Sequence, residues 1–435
     1  MTQPEIEHEV RFDATAGFRF TETLRASNRP RDLNLIIEPD GSTHRLKVQT
    51  LDPELRAAFG DKIECVLPLT VEQLWGHVQE CRDTWHTTVI DHQSTSGELV
   101  FQRYWDMVKA PQHLTAVLRP IAEAGSKLFL AIFQPDIDDG SQDVSVRKHI
   151  FTVLREHTVD RPLWIRCTSS RFFAPWNLIY CRKVTDDPID PTGFWGYQHV
   201  VEHIPRDGSV LAHDLQQPGD EPLRLGINID PGLDQWLEPL GVECLRPVLE
   251  QFESYHGVNP QRREYKAELA EAFKAGIDDH VLYFCCHAEQ EGDQAVIVGK
   301  PGRLRLGDTN DDGWILPSDI TLWTDGTDMA RKPVVFLNAC AGGQFNSVFY
   351  QGFGDRFLAK GACSVIGPQT DLPAVFGGAF ARQFFARFFA GSQDNKVGTV
   401  LAELRRTFFD QYKNPLGMLY SLYRGADMFL DRAVN

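Results

Sequence analysis

The sequence predicts an α/β protein: a mostly parallel central sheet covered by helices on both faces, preceded by a small N-terminal α+β module. Three observations predict it. Apolar runs such as Val281-Leu-Tyr-Phe-Cys-Cys286 and Val334-Val-Phe-Leu-Asn338 read as strands buried on both faces, which lose the polar alternation of a half-exposed strand. From about residue 160 such runs alternate with helix-period segments, the pattern of strand–helix crossovers. The first hundred residues differ: Leu33-Asn-Leu-Ile-Ile-Glu38 and His44-Arg-Leu-Lys-Val-Gln49 flank the turn signal Pro39-Asp-Gly-Ser42, as in a hairpin.

Taken in order, a strand is expected at 9–13 ahead of that hairpin, and 71–81 has helical spacing. The polar stretch 91–98 is the linker candidate. It divides the chain into a module of residues 1–100, regulatory in role, and a larger domain of residues 101–435. Residues 101–135 read as two helices, the second ending near Gly125-Ser126 or running on through 128–133. Strands follow at 163–168, 223–228, 281–286, 333–338 and 363–367. Helices follow at 261–274, 344–360, 373–390 and 396–411, with Gly361 and Gly391 standing where C-terminal caps belong. No fixed-period repeat is present, which excludes a solenoid.

Composition narrows the function classes. The 435 residues are 42% hydrophobic and 24% charged, as in soluble globular proteins. No apolar run approaches the roughly 20 residues of a membrane span, and Met1-Thr-Gln-Pro-Glu-Ile-Glu7 is no signal peptide, so a cytoplasmic protein without a membrane partner is expected. A net charge of −16 opposes direct nucleic-acid binding, which draws on basic patches. Nine scattered cysteines form no disulfide framework and fit a reducing compartment.

Two apolar runs end in reactive residues. The first runs into His287, and the second into Cys340, followed by Gly342 and Gly343. In open α/β sheets the crevice beyond the carboxyl ends of the strands is where ligands bind. A thiol and an imidazole delivered there can act as nucleophile and base. Fifty-three residues separate them, close to the roughly 50 between histidine and cysteine in caspase-like proteases. The rival readings are a cysteine that merely packs and a zinc site at Cys285, Cys286 and His287 with His280 nearby, which lacks a second ligand pair at zinc spacing. His287-Ala-Glu289 opens a deaminase signature whose Pro-Cys-x-x-Cys half is missing, and Gly-x-Ser-x-Gly is missing too. Asp308-Thr-Asn-Asp-Asp-Gly313 resembles the start of a calcium loop, but strand-like flanks and Pro317 make it a hairpin turn.

Five segments in order resemble the CHAT family of caspase-like, clan CD cysteine peptidases, over roughly 115–430. They are Ala174-Pro-Trp-Asn-Leu178, Phe284-Cys-Cys-His287, the stretch from Leu306 through Ser318-Asp-Ile320, Leu337-Asn-Ala-Cys340, and the Phe357 to Gly367 step. The resemblance implies a caspase-like α/β/α sandwich that hydrolyses peptide bonds through Cys340 and His287 without metal or cofactor. It implies an oxyanion site at the backbone N–H groups of Ala288, where the family usually has glycine, and Cys340. It implies an S1 pocket near the end of the first strand and two residues before the nucleophile. The candidates are Ser170, Arg171 and Asn338, with Asp371 a further one; Arg171 favours an acidic P1 side chain and Asp371 a basic one. The implied partners are a protein substrate and an activating protease or regulatory protein, in a bacterial antiviral-defence or cell-death setting, with 182–197 or 341–353 as the segment that switches. The alternative is an inactive scaffold of the same fold that binds a protein partner.

Overall fold

The computed structural model describes residues 23–26, 30–135, 141–169, 173–185, 188–205, 222–289, 302–307, 313–325, 328–341, 350–370, 372–392 and 394–431. Its strands are β1 (Thr23–Ala26), β2 (Leu33–Asp40), β3 (Thr43–Thr50), β4 (Lys62–Leu67), β5 (Trp164–Ser169), β6 (Val200–Pro205), β7 (Leu223–Ile229) and β8 (Val258–Arg263). They continue as β9 (Val281–Glu289), β10 (Arg303–Arg305), β11 (Trp314–Ile315), β12 (Val334–Ala341), β13 (Ser364–Pro368), β14 (Tyr420–Tyr423) and β15 (Met428–Asp431).

Thirteen of these form one sheet in the order β11-β10-β9-β12-β13-β14-β6-β5-β2-β3-β4, with β7 and β8 attached through β9. Most of its pairings are parallel, including β7–β9, β9–β12 and β12–β13. One edge of β9 is shared. β7 pairs with its first half, 281–285, and β10 with its last three residues, 287–289. Side chains alternate between two cores. Tyr283, Cys285, Val334 and Phe336 pack on one face with the helices Arg246–Ser254 and Ala374–Phe388. Leu282, Phe284, Val335 and Leu337 pack on the other with Lys266–Lys274 and Pro317–Thr324. The protein is therefore the α/β sandwich with a mostly parallel sheet that the sequence predicts.

The hairpin of the first hundred residues is present, and β2 also pairs in parallel with β5. The meander β2–β3–β4 thus extends the central sheet, and the boundary expected near residue 100 does not interrupt it. The polar stretch 91–98 is closed by a Gln93–Leu99 bridge. The strand expected at 9–13 lies outside the described residues.

Two differences have local causes. The helix expected over 261–274 begins only at Lys266, because residues 258–263 pair with β7; Glu268 then reaches back to the N–H groups of Glu264 and Tyr265 to start the helix. The segment 112–133 is a single helix that does not stop at Gly125. A Cβ at Gly125 would meet the Leu178 carbonyl oxygen at 2.1 Å, so this glycine permits close packing and ends nothing. Gly361 and Gly391 do take positive φ, +100° and +65°.

Buried charge ties the meander to the rest. Glu202 on β6 accepts from Arg31 Nε and Arg166 Nε, both at 2.7 Å, and from the N–H of Ala426 at 3.1 Å. Burial pushes the Glu202 pKa up, but Arg31 and Arg166 outweigh it and hold the carboxylate below its ordinary value. Glu202→Gln is expected to cost about 3–5 kcal/mol, because it leaves the buried Arg31 charge under-compensated. An unchanged urea midpoint would contradict this. Burial also lowers His199 and His203 to about 3, so both are neutral in the fold. The unfolded chain protonates them near 6.5 and binds more protons between that pH and 3. Stability should therefore fall as pH drops through that window, by up to about 1.4 kcal/mol per pH unit for each histidine. Urea midpoints at pH 7.5, 6 and 5 check the slope.

Candidate active site

β9 and β12 start level and stay level. Eight consecutive Cα partners run from Val281 with Val334 to Ala288 with Ala341, which sets His287 directly opposite Cys340. Both positions lie at the carboxyl ends of adjacent parallel strands. Alternation from Tyr283 and Cys285 puts His287 on the face packed by the helix Ala374–Phe388, and counting from Phe336 and Asn338 assigns position 340 to that face too. Cys285 and Cys286 are buried within the strand on opposite cores.

His287 is partly buried between two indoles. Its ring centroid lies 5.2 Å from Trp236 and 6.4 Å from Trp314. Trp236 comes from the loop beyond β7. There the N–H of Asp230 donates to the Cys285 carbonyl at 3.0 Å, and the Asp230 carboxylate accepts from Gly232 N at 2.9 Å. Asp234 fixes the next turn by accepting three backbone N–H groups, from Cys244, Leu245 and Arg246, at 2.7–2.9 Å. Burial raises the Asp234 pKa, but those bonds outweigh it and the carboxyl titrates below its usual value. The indole of Trp236 is held out at 63% exposure.

Beyond His287 the hairpin β10–β11 brings Arg305 into register with it, Leu304 with Ala288, and Trp314 with Arg305. Ala288 itself is buried. The acidic turn of the hairpin, 308–312, lies outside the described residues. Among the described residues no group of three or more His, Cys, Asp and Glu is placed to hold a metal ion. His280 sits at the opposite end of β9, where its Nδ1 accepts from the N–H of Arg224 at 3.0 Å.

Asn338, two residues before Cys340, is fully buried. Its Nδ2 donates to the Tyr283 hydroxyl at 3.1 Å, and its Oδ1 accepts from the Tyr420 hydroxyl at 2.8 Å. Its amide thus faces the core and two tyrosines instead of a substrate cleft. Ser170, Arg171 and Asp371 lie outside the described residues. The strand that Ser170 and Arg171 follow, β5, is separated from β9 by β12, β13, β14 and β6; β9's own neighbour is β7. Trp236 and Arg305 did not emerge from the sequence. The available signal was the Arg303-Leu-Arg305 alternation, which gives a half-exposed strand a basic face.

No family model and no curated protein matches the chain. Among solved structures it is similar to chains of two Saccharomyces cerevisiae separase–securin complexes, at 3.0 Å and 2.6 Å resolution. The TM-scores are 0.44 and 0.42 and the identities 11% and 10%, over 92% of this chain and 30% of each matched chain. The chain thus spans under a third of the length of the chains it matches, and no residue's role follows from the similarity. Among the described residues no helix is long and apolar enough to cross a membrane.

Asn338→Leu keeps the volume and removes the amide, leaving two buried hydroxyls unpaired. The expected cost is about 1–3 kcal/mol for each hydroxyl, read as a lowered midpoint in urea. A midpoint equal to wild type would show that the tyrosine–asparagine chain does not hold the end of β12.

Proposed function

We propose that the protein is a cysteine endopeptidase whose nucleophile is Cys340 and whose acid–base is His287. The observation that carries this reading is their register, in which the two residues stand opposite each other at the carboxyl ends of neighbouring parallel strands. In the reaction the Cys340 thiolate attacks the scissile carbonyl carbon. The tetrahedral oxyanion is stabilised by the backbone N–H groups of Ala288 and Cys340. His287 gives its proton to the leaving amine as the C–N bond breaks, which leaves a thioester. It then takes a proton from water, whose oxygen displaces the sulfur and releases the acid. Recognition of the P1 side chain is assigned to Ser170, Arg171 or Asp371.

Residues 1–100 are proposed as the regulatory part and 101–435 as the peptidase. In support, Arg82 of the helix Val71–Trp85 is buried and donates to the Gln369 side chain at 2.8 Å and to the Phe173 carbonyl at 3.2 Å. Gln369 follows β13, the strand beside β12, so movement of this helix reaches the same end of the sheet. The resemblance to CHAT peptidases favours a protein substrate and an effector role in bacterial defence or cell death.

Cys340→Ala should abolish cleavage of a peptide library, and His287→Ala should lower kcat/KM by several orders of magnitude, since paired catalytic groups act as a unit. Persisting turnover in purified Cys340→Ala protein would sink the assignment. A thiol-reactive peptide probe that labels wild type but not Cys340→Ala would support it independently.

A further inference from the structure

The face that carries His287 continues past it, away from β12. Positions 340, 287, 305 and 314 form one row across β12, β9, β10 and β11. Arg305 is therefore the cross-strand neighbour of His287, and Cβ atoms of such neighbours are about 4.5–5.5 Å apart. Leu304 and Ile315 enter the core of the opposite face, which leaves Arg305 and Trp314 on the side of His287. The Arg305 guanidinium lies over the Trp314 ring, 5.2 Å from its centroid, and its Nε is buried without a hydrogen-bond partner among the described residues. No ion pair to Arg305 is present among those residues either. A partly desolvated cation without a counter-charge is costly until an anion reaches it. On the other side of the imidazole stands the exposed indole of Trp236.

We propose that Arg305, with Trp314 and Trp236, forms a subsite that binds an acidic side chain of the peptide substrate on the leaving-group side of the scissile bond. The side of the bond rests on the protease reading. An imidazole that protonates the leaving amine stands beside the leaving residue, so groups beyond it from Cys340 face the segment being released. Arg305 supplies a charge-assisted pair to a carboxylate, and Trp236 gives an apolar wall to the neighbouring residue. The charge on the wall of this cleft is thus opposite in sign to that of the chain as a whole, −16.

The test uses peptide pairs that differ only by Glu or Gln at each of the first three positions after the cleaved bond. Wild type should prefer Glu at one of them by about tenfold in kcat/KM. That preference should shrink as salt is raised and collapse toward unity in Arg305→Gln, while Arg305→Lys keeps part of it. The salt series needs no variant and guards against misfolding. Cleavage with no Glu preference at any position overturns the subsite and leaves the dyad standing. If no peptide is cleaved, the same pairs are titrated against wild type by tryptophan fluorescence. Tighter binding of the Glu peptide, lost in Arg305→Gln, upholds the subsite and overturns catalysis. Equal binding of both overturns the subsite as well.

Discussion

The parallel pairing of β9 with β12 is the constraint on which the site depends. Side chains in a strand repeat every two residues, so a slip of one residue would send position 340 to the opposite face from His287. The pairing is locked by burial on both faces. Tyr283 and Phe336 enter one core while Leu282 and Val335 enter the other, and a slip would exchange them. Neither core would accept the exchange, since packed interiors are close to crystal density. The level at which the two reactive positions meet is thus set several residues below them, by residues with no chemistry of their own.

Near the carboxyl edge the interior turns polar in one place. The chain Tyr420–Asn338–Tyr283 crosses from β14 through β12 to β9, with every link hydrogen-bonded. Helix Ala374–Phe388 comes so close that a Cβ at Gly377 would meet Asn338 Oδ1 at 2.4 Å. Such a buried network is costly when incomplete and specific when complete. Here it joins three strands directly beneath the row of positions proposed to carry the chemistry.

The parts of this arrangement that local pattern encodes were legible. The runs from Val281 to His287 and from Val334 to Cys340 have equal length, so two parallel strands starting level must bring these residues level. The hairpin at 304–316 and the cap glycines were equally local. Sheet order was not. An apolar run at 163–168 looks the same whether it neighbours β9 or, as here, lies beyond β14 and β6. Placing the S1 candidates after the first apolar strand therefore made β5 the neighbour of β9, a position that β7 occupies. The proximity of Trp236 and Arg305 to His287 likewise depends on which strands share an edge of β9, and single-strand periodicity carries no information about that.

A sheet this wide ends somewhere, and unpaired strand edges are templates for aggregation. Each outer strand carries a deterrent. β4 places the exposed charges Lys62 and Glu64 on its rim, and Asp143 accepts the Val66 N–H at 3.1 Å. β8 contains Pro260, which has no N–H to offer an incoming strand. β11 is only two residues long, and Lys266 Nζ caps its Trp314 carbonyl at 2.7 Å. By this means a broad sheet with many apolar strands is kept from recruiting further copies of itself, and the rim beside the proposed cleft stays open to an extended peptide only on its face.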